Sequence, residues 1–137
     1  MAGKVPYGAA VTMLSALKSG SLMGAQLALY AASHTPTGAD TAATYNAIEA
    51  SFGGYARITL SSWGTPFNNT SNIAEVDEIL RTFTATGSGL PQTIYGVYCL
   101  DSGGNLLFAD PAPAPQILAA AGDSYTYLPI FTDLSRF

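Results

Sequence analysis

Thr93-Ile94-Tyr95-Gly96-Val97-Tyr98-Cys99-Leu100 runs into Asp101-Ser102-Gly103-Gly104-Asn105 and then into Leu106-Leu107-Phe108-Ala109. The first run is β-branched and aromatic, a composition that suits a pleated, half-buried surface. The middle is turn chemistry. Asp and Asn side chains bond the local backbone, and the Gly pair supplies positive φ. The last run is apolar again. The whole reads as a β-hairpin. Strict alternation would put Tyr95, Val97 and Cys99 on one face and Ile94, Tyr98 and Leu100 on the other. Both faces are apolar, so the strand is either central in a two-sided core or buried at a subunit contact.

The flanking sequence predicts further strands. Residues 25–32 alternate Leu27 and Leu29 with small residues and include Tyr30. Residues 55–60 alternate well, residues 79–85 carry Thr82-Phe83-Thr84, and residues 125–132 form a last strand with Pro129 at an edge or bulge. Asp110-Pro111-Ala112-Pro113-Ala114-Pro115 is expected to leave the sheet as an extended connection, because proline has no ladder donor. A short helix is expected over residues 41–50, with Asp40 as its N-cap. Before all of these, Ala10, Val11, Leu14 and Leu17 have helical spacing, and Gly20 is placed as a C-terminal cap. Short strands with Gly/Pro-rich turns indicate a mainly β chain: a single β-sandwich or jelly-roll-like domain over residues 23–137, preceded by a helix or arm over residues 1–22.

Composition narrows the function classes. The chain has 137 residues, enough for one domain with its own core. Only 10% are charged, against about 25% in an average soluble domain. The net charge is −4, and Lys4, Lys18, Arg57, Arg81 and Arg136 form no basic stripe. Nucleic-acid binding is therefore not expected. No apolar run approaches the roughly 20 residues that span a bilayer, so no membrane partner is expected. Thr12 and Ser15 interrupt the apolar run after Lys4, and Lys18 follows it, which argues against a signal peptide.

Candidate chemistry is sparse. His34 is the single histidine, sits in a polar loop and reads as solvated. Cys99 is the single cysteine and reads as a small buried hydrophobe. One of each cannot build a tetrahedral metal site, and no phosphate-binding glycine motif or nucleophile elbow occurs. No cofactor or metal is expected, nor a catalytic residue. Glu75, Asp77 and Glu78 lack the glycine of a calcium loop and read as a solvated acidic face. A glycan hydrolase would have to draw its acids from Asp40, Glu49, Glu75, Asp77 and Glu78, with one carboxyl strongly raised in a cleft. The aromatic residues are the remaining signal. Tyr95, Tyr98, Tyr125 and Tyr127 are candidates for core or subunit packing. Val5, Tyr7, Val11, Leu14 and Leu17 are candidates for gripping a neighbour.

Several stretches resemble small structural proteins of tailed bacteriophages. Leu27-Ala28-Leu29-Tyr30, His34-Thr35-Pro36, Phe52-Gly53-Gly54-Tyr55-Ala56 and Trp63-Gly64 are similar to their front half. Ile94-Tyr95-Gly96-Val97-Tyr98, Asp101-Ser102-Gly103-Gly104-Asn105 and Leu106-Leu107-Phe108-Ala109 are similar to their back half, and Gly122-Asp123 fits before the last strand. Val97, Phe108 and Asp110-Pro111-Ala112-Pro113 depart from that pattern. The resemblance implies a virion component without an active site, made in the host cytoplasm and placed on the capsid surface. It would decorate or cement the shell by binding the major capsid protein across neighbouring capsomers, as a homo-oligomer, often a trimer. The other implied place is the tail or a fibre, binding a partner protein or a host glycan through exposed Tyr or Trp63.

Overall fold

The computed structural model describes residues 7–132. The protein is mainly β, with antiparallel sheets and a short N-terminal helix. Helix α1 (Tyr7–Leu17) leads through a wider turn over residues 18–22 to β1 (Ala25–Tyr30). After α2 (Ala42–Asn46) come β2 (Ile58–Leu60), β3 (Phe67–Asn68), β4 (Ala74–Asp77) and β5 (Arg81–Thr84). Then follow β6 (Gln92–Leu100), β7 (Leu106–Leu118), β8 (Ser124–Tyr127) and β9 (Ile130–Thr132). The sheets have the orders β2-β1-β6-β7, β3-β4-β9 and β5-β8.

Strand β6 is central, as its composition predicts, and is covered on both faces. Ile94, Val97 and Cys99 face the main core with Leu27 and Leu29 of β1. Phe83, Tyr125, Ala74 and Val76 of the two smaller sheets close that core from the other side. Tyr98 and Leu100 face a second cluster with Ala28, Tyr30 and Tyr45, and Tyr95 packs against it. Each large apolar side chain buried this way contributes about 1.5–3 kcal/mol, more than the roughly 0.5–1.5 kcal/mol of a single hydrogen bond. Burial on two faces therefore fixes the position of β6.

The face assignment differs from strict alternation at one point. The β6–β7 register breaks between Ile94 and Gly96, where Ile94 pairs Gln116 but Gly96 pairs Pro111. Across that break Ile94 turns to the face of Val97, and Tyr95 turns to the face of Tyr98. The same break overturns the expectation that residues 110–115 leave the sheet. β7 continues through them as an edge strand, with Asp110 and Pro111 paired to β6 and residues 112–115 without a β6 partner. An edge strand with a bulge is where missing proline donors are tolerated.

Other boundaries move for local reasons. The expected strand over residues 125–132 is two strands broken at Leu128 and Pro129. Residues 74–85 likewise form two strands, β4 and β5, and of residues 55–60 only the last three pair as a strand. Gly20 does not cap α1. Met23 N–H reaches back to the Lys18 carbonyl at 2.8 Å, and Gly24 takes the positive φ of +81°. Thr41, not Asp40, caps α2, in a reciprocal capping box with Thr44. The hairpin turn forms, but of the Gly pair only Gly104 takes a positive φ, of 84°; the Asp101 carboxylate accepts from the Gly103 and Asn105 N–H groups at 2.9 Å.

Tyr30 stands opposite Gly96 across the β1–β6 pair. A Cβ at Gly96 would lie 2.5 Å from the Asp110 carbonyl oxygen and 2.6 Å from the Tyr30 hydroxyl. The glycine thus leaves the room that the tyrosine ring fills. The Tyr30 hydroxyl is buried without a hydrogen-bond partner. We expect Gly96→Ala to cost about 1–3 kcal/mol in urea unfolding, the usual range for overpacking. Tyr30→Phe should cost nothing or stabilise, because it removes an unpaired buried polar group. A Gly96→Ala protein as stable as the parent would refute the close approach.

Candidate functional site

The four sheet tyrosines pack within the chain. Tyr98 is fully buried, and Tyr125 is buried in the main core. Tyr95 and Tyr127 are half-buried. The Tyr98 ring stacks on Tyr45 with centroids 5.3 Å apart, and its hydroxyl donates to Asn46 Oδ1 at 3.0 Å. The Tyr127 hydroxyl donates to Asp110 Oδ2 at 2.8 Å. Of the N-terminal candidates, Leu14 is buried in the main core, and Val11 and Leu17 pack against it. Leu14 is thereby taken up by the chain's own core, while Val11 and Leu17 are half-buried against it. Tyr7 opens α1, but its side chain, like Val5, lies outside the described residues. Trp63 is also internal: it is 5% exposed, and its indole N–H donates to the Leu22 carbonyl at 2.8 Å. Each described tyrosine is buried or half-buried. Trp63 is therefore not exposed to a glycan, and none of the described tyrosines is fully exposed.

His34 is not simply solvated. Its Nε2 lies 2.8 Å from Asp40 Oδ2, and its ring stands edge-on to Tyr45. The Thr37 N–H and hydroxyl and the Tyr45 hydroxyl also donate to Asp40. The Thr37 backbone bond first, then His34, holds this carboxyl far below the usual range. The pair has the orienting half of a catalytic triad. No described hydroxyl or thiol is bonded to the ring as a nucleophile. Beside it, Arg57 binds both oxygens of Glu49, from Nε at 2.7 Å and from Nη2 at 2.9 Å. Tyr55 donates to Glu49 as well, at 2.6 Å. Burial raises the Glu49 carboxyl, but Arg57 and Tyr55 outweigh it and leave it lowered. These groups tie α2 and its flanking loops to the sheet, and their polar capacity is already engaged.

Glu78 is the one buried charged residue of the described core. It accepts from the Ser62 N–H at 2.8 Å, and from the Ile79 N–H and Arg81 Nη2 at 2.9 Å each. Removing one member of such a buried pair typically costs about 3–5 kcal/mol. The acidic stretch is therefore not a uniformly solvated face. Cys99 is fully buried, and burial pushes its thiol up to about 12. It is an inert hydrophobe, as read. Among the described residues no group of three His, Cys, Asp or Glu is placed to hold a metal ion, and no helix is long and apolar enough to cross a membrane.

The outward face of β3-β4-β9 differs from the rest. Ala74 and Val76 point inward, so Glu75 and Asp77 point outward. Phe67 and Thr132 pair with Glu75, and Ile130 pairs with Asp77, so all share that face. At its end the loops carrying Ile79, Leu80 and Leu128 meet, joined by a Glu78 N–H bond to the Pro129 carbonyl at 2.9 Å. Five large apolar side chains here are open to solvent: Phe67 41%, Ile79 52%, Leu80 61%, Leu128 43% and Ile130 43%. Sequence reading missed them, because it treated Ile79 and Leu80 as strand interior and Phe67 as loop. The available signal was the adjacent Ile79-Leu80 pair, which one strand face cannot bury together.

Within this face the Asp77 Oδ1 atom is buried and has no hydrogen-bond partner. Asn69 Nδ2 donates to Glu75 Oε1 at 2.9 Å. Burial, and then the hydrogen-bonding Glu75 carboxyl, push Asp77 up to about 6. A raised carboxyl is what a hydrolase would need, and here burial and the adjacent Glu75 account for the shift. Glycoside hydrolysis instead needs two acids spaced to flank a bond.

No family model, no curated protein sequence and no solved structure matches the chain.

The Asp77 shift fixes a sign. The folded value is above the ordinary value of about 3.9. Its stabilisation is therefore fully present below about 3.9 and lost as pH rises through about 6. Asp77→Asn keeps a donor for Glu75 at every pH. We expect it to melt higher than the parent at pH 7.5, with the gap closing towards pH 4. An equal gap at both pH values would contradict the raised Asp77 carboxyl.

Proposed function

We propose that this chain is a non-enzymatic structural protein of a virion, which decorates or cements a phage capsid by binding across neighbouring capsomers. The single observation that carries the binding reading is the outward β3-β4-β9 face, where large apolar side chains stay open around two acids. Contiguous exposed apolar surface marks an interaction site more often than an accident of folding. The polar groups that might do chemistry are engaged with one another, which favours a binding module. The capsid assignment rests on the resemblance of the hairpin and of the Tyr30, Trp63 and Gly122-Asp123 stretches to phage structural proteins. A small domain present in many copies suits that role, since a closed homo-oligomer engages several capsomers at once and gains effective concentration.

The test is copy number. Quantified against the major shell protein in purified particles, the chain should be present in hundreds of copies. A few to a few tens would move it to the tail or a vertex. Absence from particles would discard the virion reading.

A further inference from the structure

We infer that the outward face of β3-β4-β9 docks an extended basic and apolar segment of a partner protein, whose Lys or Arg lies over Glu75 and Asp77. The inference rests on the binding-module reading and names the chemistry of the partner. Three observations carry it. First, Phe67 and Ile130 flank the acids, and Ile79, Leu80 and Leu128 extend the apolar surface at one end. Covering such a face removes apolar area from water, but it also desolvates two carboxyl groups. Those groups then need a counter-charge.

Second, the described residues supply none. The paired strands β3 and β9 carry no charged residue over Phe67–Asn68 and Ile130–Thr132, and α1, which packs on β4, has none over Tyr7–Leu17. Among the described residues Lys18 donates to the Gly64 carbonyl, Arg57 is held by Glu49, and Arg81 by Glu78. A second copy would therefore set acids against acids on this face. Third, the Asp77 Oδ1 atom is buried without a donor, an acceptor left unused within the chain that an ammonium or guanidinium reaches once the half-buried side chain turns towards the face. An extended segment alternates its side chains, so a Lys or Arg can sit over the acids between apolar neighbours.

The test uses the full chain, isotope-labelled for two-dimensional NMR. It is titrated with a short synthetic peptide alternating Leu and Lys, and with the same peptide carrying Glu for Lys. The Lys peptide should shift the amides of Phe67, Glu75, Asp77, Leu80 and Ile130, and the Glu peptide should not. Asp77→Asn and Leu80→Ser should each weaken binding by about tenfold, the loss of one good interfacial contact. Binding should be tighter at pH 7.5 than at pH 5, because Asp77 takes up a proton on passing below about 6. Three results would overturn the inference: no shifts, equal shifts with both peptides, or shifts centred on other acids such as Asp101 and Asp123. None of these bears on particle copy number, so the two readings fail separately.

Discussion

The Tyr30 ring over Gly96 is the constraint on which the fold depends. β6 must be covered on both faces, and a glycine within it would leave a hole. Tyr30 fills that hole from β1, and the backbone of β7 closes it at Asp110. The register of β1 on β6 is thereby fixed, since a shift of one residue would drive the ring into a side chain. The break between Ile94 and Gly96 belongs to the same place. It lets β7 keep pairing on either side of the unpaired residues 112–115, where Pro113 and Pro115 stand.

Around this centre the polar groups have two different fates. Near α2 they close on one another: Asp40 on Thr37, His34 and Tyr45, and Glu49 on Arg57 and Tyr55. Such networks stabilise only when every member is satisfied, and here the carboxylates are. On β4 the outcome is opposite. Glu75 and Asp77 lie half-buried on one face among apolar side chains, with no ion pair to a cation among the described residues. A chain selected only to fold has little reason to keep that arrangement. A chain that must bind has one, because uncompensated acids on an apolar surface select a partner by charge and bury it by area.

The central hairpin was legible in the sequence, because composition and turn chemistry agree there: a β-branched and aromatic run before Asp101, Gly104 and Asn105, and an apolar run after them. The mainly β class and the buried Cys99 were legible as well, whereas the sequence left the N-terminal segment open between a helix and an arm. Tertiary structure decided the rest. Alternation assigned Tyr95 and Ile94 to the wrong faces, since a register break depends on the partner strand. Local proline chemistry predicted an exit from the sheet, since edge position is a property of strand order. Val11, Leu14, Leu17 and Trp63 read as available apolar surface, yet the core takes them. Phe67, Ile130 and Leu80 read as ordinary core or loop, yet they stay outside. Hydrophobicity says only that a side chain gains by leaving water; which surface receives it is settled by neighbours distant in sequence.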